Sequence, residues 1–323
     1  PDILQDLADV EMHAIQTSGN CIRNTTTDQF AGVSPEEIED SRPYCELIRQ
    51  WSSFHPEFAY LPRKFKIAVC GTLRDQAATQ VHDIGIYLKA GPGNKIGFQI
   101  LAGGGLGRTP MIGKEVFDFV ERHHLLTALE AILRVYNRLG RRDNKYKARI
   151  KILVKETGID KFKNLVVEEW NQIKDGPLTL TDDEITRCKN YFIEANYEEL
   201  EDDPNKLKSE LDSNLLFNAW FKQNVHQHKK TGYSIVTICF KQTGIAPGDI
   251  TDAQLEFVAD LADEFSFGEV RITHHQNIVL ADVKQSDLPS LWKKLNNRSL
   301  SVANLSLLSD VICCPGGDFC ALA

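Results

Sequence analysis

Cys314 and Cys320 are separated by five residues in ICCPGGDFCALA, and two thiolates at a fixed spacing make half of a metal site. Zinc and iron–sulfur centres both take soft sulfur ligands and usually want four, so this pair alone fixes neither metal nor chemistry. Cys313 points elsewhere if Cys314 is a ligand. The HQH stretch at His226–His228 lies in polar sequence and is not expected to complete the set. The missing ligands are most simply placed beyond Ala323.

Three further clusters could carry chemistry. In LPRKFK an extended backbone turns Lys64 and Lys66 to one face and Arg63 and Phe65 to the other, so two ammonium groups lie side by side. Such a pair repels unless an anion lies between; the alternative is a solvated strand face. Residues 141–155, RRDNKYKARIKILVK, hold seven basic residues against one Asp. Read as a helix, this stretch stacks Lys147 on Lys151 and Lys145 on Arg149, which suits a polyanionic ligand with carboxylates for Arg to grip, or a solvated face. The run AGGGLGR contains Gly103, Gly104, Gly105 and Gly107 but fits neither a P-loop nor G-x-G-x-x-G. Bare glycines there are expected to let a flat cofactor approach the backbone.

The elements that must position these groups can be read from periodicity. KFKIAV, VHDIGIYLKAG and KIGFQILAGGG alternate as strands, the last two joined by GPGN. Lys114–Leu139 reads as one helix stopping at Gly140, and NKYKARIKILVKETG as a second. Residues 1–24 start as an amphipathic turn and run into a polar loop. Farther on, YSIVTICF, GEVRIT and NIVLADV read as strands, and DAQLEFVADLADEF and SDLPSLWKKL as helices. The fold class is α+β, with mixed α/β sheets and flanking helices. The expected divisions are a domain at 1–174, an acidic linker at 175–225, a half-domain at 226–298, and the start of a second repeat at 299–323. The segment LSVANLSLLSDVICCPGGDFC echoes the opening PDILQDLADVEMHAIQTSGNCIRN, which suggests an internal pseudo-twofold repeat and a chain cut at its front.

The 323 residues allow two domains, with 42% hydrophobic and 25% charged content, and no apolar run is long enough for a membrane span. A net charge of −8 argues against a general nucleic-acid partner. Eight cysteines are too sparse for a disulfide scaffold and suit a reduced, cytoplasmic setting.

Taken in order, TSGNCIRNTTTDQFAG, YLPRKFKIAV, GGGLGR, RRDNKYKARIK, RITHHQN and CPGGDFC resemble the sulfite and nitrite reductase haemoprotein family, most of all its bacterial assimilatory sulfite reductase type. The resemblance covers essentially the whole chain. It implies ferredoxin-like half-domains, a sirohaem bridged to a [4Fe-4S] cluster, and six-electron reduction of sulfite to sulfide, or alternatively of nitrite to ammonia. By the same resemblance Arg23 binds the substrate anion, and Lys64 and Lys66 hold the substrate and supply protons. Arg63, Thr17, Asn20, Gly103, Gly104, Gly105, Lys147, Arg149, Lys151, Gln276 and Asn277 contact the cofactor. Cys314 and Cys320 are the first cluster pair, with a C-x3-C pair expected past Ala323, so the isolated piece is expected to be inactive. No iron-ligand role falls to His274 or His275. The electron donor implied is an NADPH-fed flavoprotein or a ferredoxin.

Overall fold

The computed structural model describes residues 2–201, 207–314 and 316–318. The chain forms two compact units, Pro1–Gly32 with Glu36–Ile193, and Val33–Pro35 with Glu194–Ala323.

In the first unit the alternating segments become strands. β1 (Ile22–Thr26), β2 (Phe65–Cys70), β3 (Ile84–Ala90), β4 (Ile96–Ala102) and β5 (Lys114–Glu121) form one sheet in that order. β1, β2 and β3 run parallel, whereas β4 and β5 are antiparallel to their neighbours. The helices of this unit are α1 (Asp2–Asp9), α2 (Arg42–Ser53), α3 (Leu125–Leu139), α4 (Ile150–Thr157), α5 (Ile159–Ile173) and α6 (Asp182–Lys189). α3 is buried almost all round from Leu125 to Tyr136, and its buried acid, Glu130, is paired with Arg134 Nε at 2.8 Å. Its Leu129, Ile132 and Leu133 share a core with Ile67 and Val69 of β2 and Phe98 and Ile100 of β4.

Two expectations are corrected here. Lys114–Glu121 is strand β5, not the first half of a long helix. The β4–β5 ladder shifts register between Phe98 and Leu101, and adjacent Val116 and Phe117 are both buried, as is Val120. That doubled burial imitates a helical repeat in the sequence. The basic helix begins only at Ile150, because Asn144 organises a turn: its Oδ1 accepts from Tyr146 N at 3.0 Å and its carbonyl from Lys147 N at 2.9 Å. Lys147 therefore does not stack on Lys151, nor Lys145 on Arg149.

The second unit carries α7 (Lys208–Ser213), α8 (Leu215–Asn224), β6 (Val225–Gln227), β7 (Tyr233–Cys239), α9 (Asp252–Phe265), β8 (Arg271–Ile272), β9 (Asn277–Lys284) and α10 (Leu288–Asn297). Its sheet runs β6-β7-β9-β8, antiparallel throughout. β7 is buried along its whole length and β9 up to Lys284, which explains their near-continuous apolar reading. α9 starts at a capping box in which Thr251 Oγ1 accepts from Gln254 N at 3.2 Å and Gln254 Oε1 from Thr251 N at 3.0 Å. Residues 175–225 carry helices: Ile185 and Cys188 of α6 join the first core, and Phe217 and Trp220 of α8 join the second. His226 sits in β6, and His228 is buried with Nε2 3.1 Å from Asp282 Oδ1, so neither belongs to a polar linker. The compositional echo has no counterpart in local structure. The opening is a helix, whereas described residues after Ser299 form only the 3-10 turns Leu308–Asp310 and Gly316–Asp318.

Candidate anion-binding site

Parallel pairing of β1 with β2 gathers cations from distant parts of the sequence. Ile22 pairs with Phe65 and Asn24 with Lys66, which leaves Arg23 as the extra residue at a register skip. Such a skip re-aims a side chain at a strand edge. Arg23 Nε donates to the Gly19 carbonyl at 3.1 Å, which steadies the guanidinium. Lys64 stands just before β2 and Lys66 within it. Partial burial pushes the Lys64 ammonium below the ordinary lysine range, and the charges of Arg23, Lys66, Arg149 and Arg63 push it further. Among the described residues, neither Lys64 nor Lys66 makes an ion pair with a carboxylate.

A buried carboxylate does face the group. Asp83, with a fully buried side chain, accepts at Oδ1 from Arg149 Nε at 3.1 Å and Nη2 at 2.7 Å. Its Oδ2 accepts from Lys66 N at 3.0 Å. Burial drives the Asp83 carboxyl above the usual range, with the Arg149 charge opposing that shift.

The remaining expected cofactor contacts divide. Thr17 and Asn20 lie exposed in the loop before β1, where Thr17 Oγ1 donates to Ala14 O at 3.0 Å and Asn20 O accepts from Leu61 N at 2.9 Å. Arg63 is half-buried and Lys147 is exposed in the Asn144 turn. Gly103, Gly104 and Gly105 are buried, which corrects the expectation of backbone open to a flat ligand. A Cβ on Gly104 would lie 2.4 Å from the carbonyl oxygens of Gln80 and His82, and one on Gly103 2.9 Å from Val154. These glycines let the protein pack on itself. Lys151 is also turned inward: its ammonium donates to Leu106 O at 2.9 Å and Thr109 O at 2.7 Å, pinning the glycine loop.

In the second unit, Gln276 adopts positive φ (60°) and its amide grips both backbone polar groups of one residue, Cys313. Nε2 donates to Cys313 O at 2.8 Å, and Oε1 accepts from Cys313 N at 2.9 Å. Asn277 is buried, with Oδ1 accepting from Lys241 Nζ at 3.1 Å and Nδ2 donating to Asp310 Oδ1 at 3.1 Å. Lys241 and Asp310 form a buried ion pair at 2.5 Å, and Lys241 also donates to the His275 carbonyl. Both residues expected at the cofactor edge thus hold the segment leading to Cys314. Cys314 is exposed, and Cys320 lies outside the described residues.

Asp83, Lys241 and Asp310 escaped the sequence reading. Each is a single charged residue beside an apolar strand or in an irregular segment, and no local spacing connects it to its partner.

Comparison with known proteins gives the family. The model of the nitrite and sulphite reductase 4Fe-4S domain matches residues 18–174, and that of the nitrite/sulfite reductase ferredoxin-like half domain matches 226–298. The chain belongs to the nitrite and sulfite reductase family, a family of oxidoreductases. It is 28% identical to the chloroplastic ferredoxin–nitrite reductase of Arabidopsis thaliana, across all of this chain and 50% of that protein. It is equally 28% identical to sulfite reductase [ferredoxin] 1 of Mycolicibacterium paratuberculosis, across all of this chain and 51% of that protein. The structure of the Mycobacterium tuberculosis NirA protein superposes with a TM-score of 0.68 at 25% identity, covering 96% of this chain and 48% of that one. The chain spans about half the length of the curated relatives it matches. Among the described residues no helix is long and apolar enough to cross a membrane.

Proposed function

We propose that this chain supplies the oxyanion-binding residues of a six-electron reductase of sulfite or nitrite, with sirohaem and a [4Fe-4S] cluster as its redox groups. The observation that carries the reading is the convergence of Arg23, Lys64 and Lys66 with Arg149 and Arg63 around a lysine whose ammonium is already disfavoured. An arriving anion relieves that repulsion, so binding is driven by charge the fold has concentrated beforehand. Lys64 is also the better proton donor for being depressed, because its acidity lies closer to neutrality than that of a free lysine. Lys66, exposed on β2, adds a second ammonium to hold oxygen atoms as they take up protons. Arg23, held by Gly19, offers its remaining N–H groups to the same anion.

The cations fit a polycarboxylate macrocycle such as sirohaem, with exposed Arg142, Lys145 and Lys147 as further partners for its carboxylates. When bound, sirohaem supplies the iron at which an oxyanion takes up electrons. For the cluster the described residues offer two exposed thiols, Cys313 and Cys314, of which Cys314 has the expected spacing, and no group of three His, Cys, Asp or Glu side chains placed for a metal. The cluster therefore enters the proposal only through Cys314 and Cys320.

Ferredoxin is named in both relatives quoted above and is favoured over an NADPH-fed flavoprotein as donor. Relatives of equal identity carry the nitrite and sulfite names, so the test uses both anions. Cofactor-loaded full-length protein should turn over at least one of them with reduced methyl viologen. Lys64→Gln and Lys66→Gln should each lower kcat/KM about tenfold to hundredfold, the worth of a charge-assisted hydrogen bond of about 1.5–3 kcal/mol. Absence of turnover with both anions, or variants as active as the parent, would overturn the proposal.

A further inference from the structure

Asp83 touches each stretch of the first unit that the sequence reading singled out for chemistry in the interval 63–151. Its Oδ2 accepts from the backbone N–H of Lys66, its Oδ1 takes both Nε and Nη2 of Arg149, and its own carbonyl accepts from Gly103 N at 3.0 Å. The carboxylate is wholly buried beside cations, and Arg149 remains 20% exposed in its side chain. A fully buried carboxylate is retained only where its partners are worth the desolvation.

We propose that Asp83 is the positioning residue of the anion site. It holds the Arg149 guanidinium by two N–H groups so that the others stay available, and it ties the strand bearing Lys66 to the glycine loop. The packing agrees: a Cβ on Gly105 would lie 3.1 Å from Arg149 Nη2, so the loop closes over the guanidinium that Asp83 fixes. Asp83 itself carries the wrong charge to meet an oxyanion and acts through Arg149. This inference rests on the anion-site reading above, but not on the redox chemistry.

The test is a double-mutant cycle of Asp83→Asn and Arg149→Gln in the full chain, with sulfate as an inert oxyanion probe. Its affinity is read from the sulfate-dependent rise in melting midpoint. A Lys64→Gln/Lys66→Gln variant gives the baseline for the general salting effect. Asp83→Asn should weaken sulfate about tenfold, equivalent to about 1.4 kcal/mol, and should weaken it no further once Arg149 is Gln. Should Asp83→Asn fail to fold, Arg149→Lys carries the test. It keeps the charge but loses the two-point hold, and should weaken sulfate several-fold. Overturning results are sulfate binding unchanged in Asp83→Asn or Arg149→Lys, equal weakening by Asp83→Asn with and without Arg149, or a wild type that tracks the baseline. If the loaded enzyme reduces neither sulfite nor nitrite while the cycle shows this coupling, the redox reading falls and the positioning role stands.

Discussion

Replacing Lys241 with Met strips the counter-ion from Asp310 in the interior of the second unit. The two side chains are 1% and 7% exposed and meet at 2.5 Å. Removing one partner of such a pair costs about 3–5 kcal/mol, because the survivor is left as an uncompensated buried charge. Asp310 keeps three donors, Ser306 N at 2.9 Å, Asn277 Nδ2 at 3.1 Å and the weaker Cys239 Sγ at 3.5 Å, so the lower end, about 3 kcal/mol, is expected. At roughly 2–4 °C per kcal/mol, the melting midpoint should fall by about 6–12 °C. Replacing both residues, Lys241→Met with Asp310→Leu, should recover most of the loss, since the charge and its partner leave together. The pH dependence has a definite sign. Burial pushes the Asp310 carboxyl up, but hydrogen bonds from Lys241, Ser306 N and Asn277 outweigh it and hold the group below its ordinary value. Its stabilising contribution is therefore present above the unfolded carboxylate pKa of about 4 and is lost as the pH falls through the lower folded value. Without Lys241 the carboxyl is protonated more readily, so the gap between wild type and Lys241→Met should narrow in acid. Urea unfolding followed by tryptophan fluorescence at pH 7 and pH 4 measures all of this. A gap below about 1 kcal/mol, a gap that does not change with pH, or a double variant no more stable than Lys241→Met would refute the reasoning.

Two shorter predictions concern the first unit. Gly104→Ala forces a methyl against two backbone carbonyls 2.4 Å away and should cost more than about 2 kcal/mol in urea unfolding. Gly107→Ala, at φ +95° but in open space, should cost about 1–2 kcal/mol; equal losses would refute the packing account. Lys64 should be acylated half-maximally at lower pH than a model lysine peptide, and added sulfite should move its profile back up. Because its folded value lies below its unfolded one, it should also make stability rise with pH between the two. A Lys64 profile identical to the peptide's would refute this.

Strands β3 and β4 were legible because their faces differ, β2 because Lys66 breaks an otherwise buried run, and β7 and β9 because both their faces are buried. Strand β5 was hidden by its register shift, which places Val116 and Phe117 side by side in the core. The basic helix was misread because seven charges drew attention to spacing while Asn144 set a turn. Lys64, Lys66 and Arg23 were legible as charges that resemblance could assign, and the sheet brings them together. Asp83 and Asp310 were not legible, since each finds its cation far along the chain: Arg149 lies 66 positions from Asp83, and Lys241 lies 69 from Asp310. Contacts of that reach leave no local pattern.

The same reach governs how the first unit folds. Parallel pairing of β1 with β2 closes a long loop before it gains a single ladder bond, and the Asp83–Arg149 pair closes another. Like charges on Arg23, Lys64, Lys66 and Arg149 resist that closure until Asp83 is in place. Folding of this unit should therefore be slow at low ionic strength and accelerate as salt screens the approaching cations.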